Sequence, residues 1–217
     1  MDFEKARFYM IEQQIRPWDV LDQRVLDLLA EVKREDFVPA GNHSLAFVDM
    51  ELPLPTGGKM LQPKVEARIV QEMDIQPSDV VLEVGTGTGY LTALLARSAR
   101  HVYSLDISAQ AIEIAQANLA RADIRNVTLE VANGSEGNTA HAPYNVIVIG
   151  GSLPVLPEAL KAQLAPGGRL FATIGDEPVM RAIRVVRDAG GQYREETLFD
   201  TVIDPLFQIT EPERFVF

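Results

Sequence analysis

The stretch Val80-Val-Leu-Glu-Val-Gly-Thr-Gly-Thr-Gly-Tyr90 constrains the fold more than any other. An apolar run long enough for one buried strand feeds a loop carrying Gly85, Gly87 and Gly89, and a helical pattern over 90–98 follows at once. Glycine is required where the backbone turns through positive φ, or where a ligand touches the main chain with no Cβ between them. The helix start then offers unpaired N–H groups to a polar or anionic ligand. Strand, glycine loop and helix in this order are the opening unit of an open α/β sheet.

The spacing narrows the ligand. A dinucleotide fingerprint runs G-x-G-x-x-G, whereas this loop is G-x-G-x-G with Tyr90 where the third glycine would fall; NAD therefore stands as the second reading. A Walker A loop needs Gly-Lys-Ser/Thr, which is absent. The arrangement fits S-adenosylmethionine (AdoMet). Asp106 follows the next strand, His101–Leu105, and on such a sheet its carboxylate falls at the carboxyl edge within reach of a ribose diol. Asn133-Gly134 follows the third strand at the same edge, placed to read the adenine. The expected cofactor-binding set is Glu83, Gly85, Thr86, Gly87, Thr88, Gly89, Asp106, Ile107, Asn133 and Gly134. The competing view of the same residues is a tight strand–helix turn, with Asp106 as a helix cap.

Strand and helix signals alternate beyond Pro63. Pro63 suits a first helical turn, with Val65, Ile69, Val70 and Met73 on one face, and Ser108 suits an N-cap ahead of Ala111, Ile112, Ala115 and Leu119. Strands are predicted at 127–131, 144–149 and 169–174, with a short helix over 157–164. Segments 179–187 and 193–203 predict an antiparallel hairpin closing one sheet edge, in which Arg181, Arg184 and Arg187 read as a solvated edge. Residues 1–62 read differently: a helical arm, with a helix opening at Asp22, then a Pro/Gly-rich loop from Asp49 to Pro63 that is irregular or extended. The expected architecture is a doubly wound, mostly parallel α/β sheet of Rossmann-like type with an N-terminal helical arm and an antiparallel C-terminal edge. The expected division is 1–62, arm and substrate loop, and 63–217, AdoMet-binding domain, in one compact unit.

Composition removes other classes. With 20 Lys and Arg against 31 Asp and Glu, the chain carries a net charge of −11, which repels phosphate backbones and argues against a nucleic-acid partner. There is no cysteine, so disulfides, thiolate catalysis and thiolate metal sites are out, and the three scattered histidines give no metal-ligand spacing. The N-terminus is charged from Asp2 and no apolar run spans a membrane, so a cytoplasmic protein with no membrane partner is expected.

The chain resembles the protein-L-isoaspartate O-methyltransferases along nearly its whole length. The resemblance rests on Val32-Lys-Arg-Glu-Asp-Phe-Val-Pro39, Phe47-Val-Asp49 with Leu52-Pro53-Leu54, Gly57 with Gln62-Pro63, Leu82–Tyr90, Leu156-Pro157, Gln163-Leu164 and Gly167-Gly168-Arg-Leu170. It implies AdoMet-dependent methyl transfer to side-chain carboxylates of L-isoaspartyl residues in damaged proteins or peptides. Two departures matter. The family's G-Q-T-I-S-Q-P is Gly57-Gly-Lys-Met-Leu-Gln-Pro63 here, so Lys59 and Leu61 replace hydroxyl residues, and Leu61 cannot hydrogen-bond through its side chain. The family's G-D-G is Ala132-Asn133-Gly134. The resemblance implies no catalytic residue by position, because a carboxylate with a reference pKa of about 4 is already ionised and needs no general base. Substrate contacts are expected from Thr56, Lys59 or Gln62 of the 56–62 loop, and from Asp49 at its mouth; the plainer view makes Lys59 solvated and Asp49 a brace for the loop. The alternatives are a methyltransferase acting on a small molecule or RNA, and a module that binds AdoMet without turnover.

Overall fold

The computed structural model describes residues 1–209; the last eight residues of the expected 63–217 unit lie outside that range. The arm begins with α1 (Phe3–Met10), capped by the Asp2 carboxylate on the Lys5 N–H, and runs on through a π-helical turn, Ile11–Ile15, to a 3-10 turn, Arg16–Trp18. Pro17 falls at the start of that last turn, where its missing N–H costs nothing. Helix α2 (Gln23–Glu31) opens at Asp22, whose carboxylate accepts from Arg24 N–H at 2.9 Å. The Pro/Gly-rich stretch is more regular than expected: β1 (Leu52–Pro53) and β2 (Lys59–Met60) pair antiparallel, bringing Gly57 and Gly58, both at positive φ, to the tip of a small hairpin.

Helix α3 (Pro63–Met73) leads into the main sheet, whose elements are β3 (Val80–Val84), α4 (Tyr90–Ser98), β4 (His101–Asp106), α5 (Ala109–Arg121), β5 (Val127–Val131), β6 (Tyr144–Leu153), α6 (Glu158–Ala162), β7 (Leu164–Asp176), β8 (Val179–Arg187) and β9 (Tyr193–Asp200). Its order is β5-β4-β3-β6-β7-β8-β9; the first five strands are parallel, and β8 and β9 are antiparallel additions. Strand order runs one way from β3 through β4 to β5 and the other way from β6 to β7. Right-handed crossovers therefore put α4 and α5 on one face and α6 on the other.

Alternation along the strands builds two cores. Val81, Val146, Val148 and Phe171 face the arm and helices α2–α5, while Leu82, Val84, Ile147, Ile149 and Leu170 face α6. Met10, Ile15, Leu29, Phe37 and Phe47 of the arm belong to the first of these interiors, so arm and sheet share one apolar cluster.

The expectation for the β8 arginines is corrected. Strand β8 is not the edge, because β9 lies outside it. Arg181 faces Glu195, Arg184 reaches the Glu72 carbonyl and the Glu196 carboxylate, and Arg187 donates to the Leu164 carbonyl at 2.5 Å. Trp18 packs on Phe199 of β9 with ring centroids 5.1 Å apart, so the arm also braces the far end of the sheet.

Candidate active site

The cleft opens where strand order reverses, beyond the carboxyl ends of β3 and β6. Its floor is Gly85 and Gly87 on one side and Gly150 and Gly151 on the other. One rim is Thr56 to Lys59 of the β1–β2 hairpin; the opposite rim is Asp106 to Ser108 with Asn133 to Ser135. Residues Asp204–Phe207 lie across the top.

Gly85, Gly87 and Gly89 have φ of +96°, +53° and +84°, a region side chains avoid. A Cβ on Gly150 would sit 3.1 Å from the Val84 carbonyl oxygen, and one on Gly134 would sit 2.7 Å from Val84 Cγ1. The floor is thus bare main chain, which a flat nucleoside can approach closely. Gly89 faces the other way: its missing Cβ leaves room for Ala115, 3.1 Å off, so it serves the packing of α4 on α5.

Asp106 does two things. Its carboxylate accepts from Gly87 N–H and from Ser108 N–H, both at 2.9 Å, fixing the glycine loop and the entry to α5. It also lines the cleft, and an ionised carboxylate retains lone pairs for further donors after two such bonds. Ile107 lines the cleft beside it. Asn133 accepts from Ser135 N–H at 3.0 Å and donates through Nδ2 to the Gln208 carbonyl at 3.2 Å.

Other expected cofactor residues stand behind the loop. Glu83 is fully buried on the Val81 face, where its Oε2 accepts from Thr92 and Ser104 hydroxyls, both at 2.6 Å, and its Oε1 has no partner among the described residues. Burial pushes its carboxyl up to about 8, against the pull of those hydroxyls and with a smaller push from Asp106 and Glu66. Thr86 pairs with Ser104 at 2.6 Å, and Thr88 Oγ1 approaches Met60 Sδ at 3.9 Å, tying loop to hairpin.

The expected substrate residues separate. Thr56 and Lys59 line the cleft; Gln62 and Asp49 do not. Gln62 precedes Pro63 at the start of α3, and Asp49 holds Lys64 at 2.7 Å. Lys59 Nζ lies 2.7 Å from Asp204 and 3.2 Å from Glu51, and these two carboxylates, the Asp204 bond foremost, raise its pKa above the ordinary lysine value. Leu61 is buried in the arm-side core. Among the described residues no cluster of three or more acidic or histidine side chains is placed to hold a metal.

Two features around the cleft carry residues to which the sequence assigned no role. The segment over the cleft, Asp204 to Phe207, is one. The other is Arg34, fully buried below the hairpin: it donates to Glu66 at 3.1 Å, to the Ala46 carbonyl at 3.1 Å and to the Leu61 carbonyl at 2.5 Å.

Comparison with known proteins agrees with this geometry. Residues 6–208 match the family model described as Protein-L-isoaspartate(D-aspartate) O-methyltransferase. The Protein-L-isoaspartate O-methyltransferase of Koribacter versatilis is 38% identical over 204 residues, covering 94% of this chain and 91% of that protein. Its namesake from Protochlamydia amoebophila is 37% identical over 198 residues, covering 91% and 94%. A Plasmodium falciparum structure described by the same enzyme name, in complex with S-adenosyl-L-homocysteine, superposes with a TM-score of 0.80 at 18% identity, covering 96% of this chain and all of that one. Fold, cleft and sequence kinship agree: the chain belongs to the protein-L-isoaspartate(D-aspartate) O-methyltransferase family of AdoMet-dependent enzymes.

Proposed function

We propose that this chain transfers the AdoMet methyl group to the side-chain carboxylate of L-isoaspartyl residues in proteins or peptides, and that the cleft at the β3–β6 reversal holds the nucleoside. One observation carries the assignment: a floor of glycine main chain, an acidic residue at one rim and a hairpin tip at the other meet in a single cleft.

The residues fit that cofactor. Gly85 and Gly87 face its amino-acid end, Asp106 accepts from the ribose hydroxyls, and Ile107 and Asn133 flank the base. The sulfonium supplies an electrophilic methyl group when bound. The chain's own work is alignment and exclusion of water, because the acceptor carboxylate arrives ionised. With Leu61 buried and the Lys59 charge shared between two carboxylates, Thr56 and the main chain of Gly57-Gly58 are the groups left to meet the acceptor. The acceptor is protein or peptide rather than nucleic acid, in keeping with the net charge of −11. No helix among the described residues is long and apolar enough to cross a membrane, and a cytoplasmic setting suits a cysteine-free chain.

The test is transfer of radiolabelled methyl from AdoMet to an isoaspartyl peptide, beside the same peptide with ordinary aspartate. Base-labile label on the first alone is the expected result; label on neither peptide would refute the acceptor assignment.

A further inference from the structure

The segment after β9 forms a strap over the cleft, and a single residue opposite its start carries much of its grip. Ser152 at the end of β6 holds the near end three ways: its N–H donates to the Asp204 carbonyl at 2.9 Å, its hydroxyl to the Ile203 carbonyl at 3.1 Å, and its carbonyl accepts from Leu206 N–H at 3.0 Å. From there Leu206 packs where Gly151 has no side chain, with Cδ2 only 2.9 Å from the position a Cβ would take. Phe207 covers Gly57 and Gly58 of the hairpin tip, and the Gln208 carbonyl reaches the Asn133 amide on the far rim. The strap therefore touches both rims and the floor. A nucleoside seated in the cleft would have Leu206 and Phe207 against it, since both line that space.

Lys59 is the one cation placed on this strap among the described residues that line the cleft. It stands on β2, 145 residues from Asp204 in sequence, and joins hairpin to strap at 2.7 Å while Glu51 steadies it from the hairpin side at 3.2 Å. Two carboxylates around one ammonium leave no positive charge to recruit an anionic acceptor. They do make a latch.

We propose that Lys59 is a positioning residue that acts through the strap: by pairing with Asp204 it holds Leu206 and Phe207 over the nucleoside and so sets how fast the nucleoside is released. The proposal rests on the placement of the nucleoside in this cleft. It gives the lysine at a hydroxyl position of the family motif a task of its own, distinct from acceptor recognition.

The test measures release of S-adenosylhomocysteine by stopped-flow displacement from the full chain, with thermal unfolding as a check on folding. Lys59→Met and Asp204→Asn should each release the nucleoside about fivefold faster, the scale of a well-placed partly exposed ion pair. Lys59→Arg, which keeps a cation between Asp204 and Glu51, should hold the rate to within about twofold of the parent. Raising salt to about 1 M, where screening reaches about 3 Å, should speed release from the parent and leave Lys59→Met unmoved. Unchanged release in both Lys59→Met and Asp204→Asn, or release from Lys59→Arg as fast as from Lys59→Met, overturns the latch. Failure of the parent to bind S-adenosylhomocysteine at all would instead remove the nucleoside from the cleft.

Discussion

Arg34 and Leu61 are joined beneath the β1–β2 hairpin: the guanidinium Nη2 donates to the Leu61 carbonyl at 2.5 Å, while Nη1 holds the Ala46 carbonyl and Nε holds Glu66. The guanidinium also lies 5.4 Å from the centre of the Tyr90 ring, the first residue of α4. One buried side chain thus fixes the hairpin relative to the glycine-loop helix. Arg34→Met strands the Glu66 carboxyl and two carbonyls, and a loss of about 3–5 kcal/mol in chemical unfolding is expected. Arg34→Lys keeps the charge without the planar three-way grip. It should raise KM for the peptide acceptor more than the dissociation constant of S-adenosylhomocysteine, and equal losses in both would contradict this account.

Glu83 makes stability depend on pH. Its ordinary value is 4.5, and burial raises it to about 8 in the folded chain. Between those values the folded state keeps a proton that the unfolded state has released. The stabilisation is complete below pH 4.5 and is lost as pH rises through 8. Glu83→Gln cannot ionise and still accepts from Thr92 and Ser104. Its melting temperature should match the parent's near pH 5 and exceed it near pH 9, by a gap on the order of 5 °C. Parallel melting curves across that range would show that the ionisation has no such weight.

Gly134→Ala tests the bare rim. The added methyl would lie 2.7 Å from Val84 Cγ1 and 3.1 Å from Leu105 Cδ1, both at strand ends beneath the cleft. Overpacking of this kind costs about 1–3 kcal/mol. Because residues 133–135 form one rim, calorimetry should also find weaker binding of S-adenosylhomocysteine; full affinity in a destabilised variant would show that the rim does not touch the ligand.

Asp106→Asn separates the bracing of the glycine loop from ligand binding. Asparagine retains one acceptor oxygen and turns its NH₂ towards one of the two main-chain donors, Gly87 N–H or Ser108 N–H. Hydrogen bonds to a charged acceptor contribute about 1.5–3 kcal/mol, so affinity for S-adenosylhomocysteine should fall by about tenfold or more. A variant that is less stable but binds normally would make Asp106 a brace of the loop alone.

What could be read from the sequence was local. Pro63 opening α3, Ser108 capping Ala111 at 3.2 Å, and the glycines between Val84 and Tyr90 each act within a few residues, so the chain order alone displays them. Glu83 was expected among the cofactor residues, but its burial and its bonds to Thr92 and Ser104 depend on how α4 and β4 pack against β3, which chain order does not display. Contacts that close over long separations were not legible. Nothing near Asp204 marks its bond to Lys59, and nothing near Arg184 marks its reach to the Glu72 carbonyl. His101 and His141 likewise gain their partners only in the fold, His101 on Thr128 and His141 on Glu130, with Tyr103 between the rings.

Met10, Leu29 and Phe47 share one apolar interior with Val102, Val146 and Phe171, so residues 1–62 have no hydrophobic core separate from that of the sheet. Warming cannot loosen that segment into a less choosy form while nucleoside binding survives. A heated or aged sample should hold fewer intact molecules of unchanged selectivity, and its remaining turnover should fall in step with the fraction still folded.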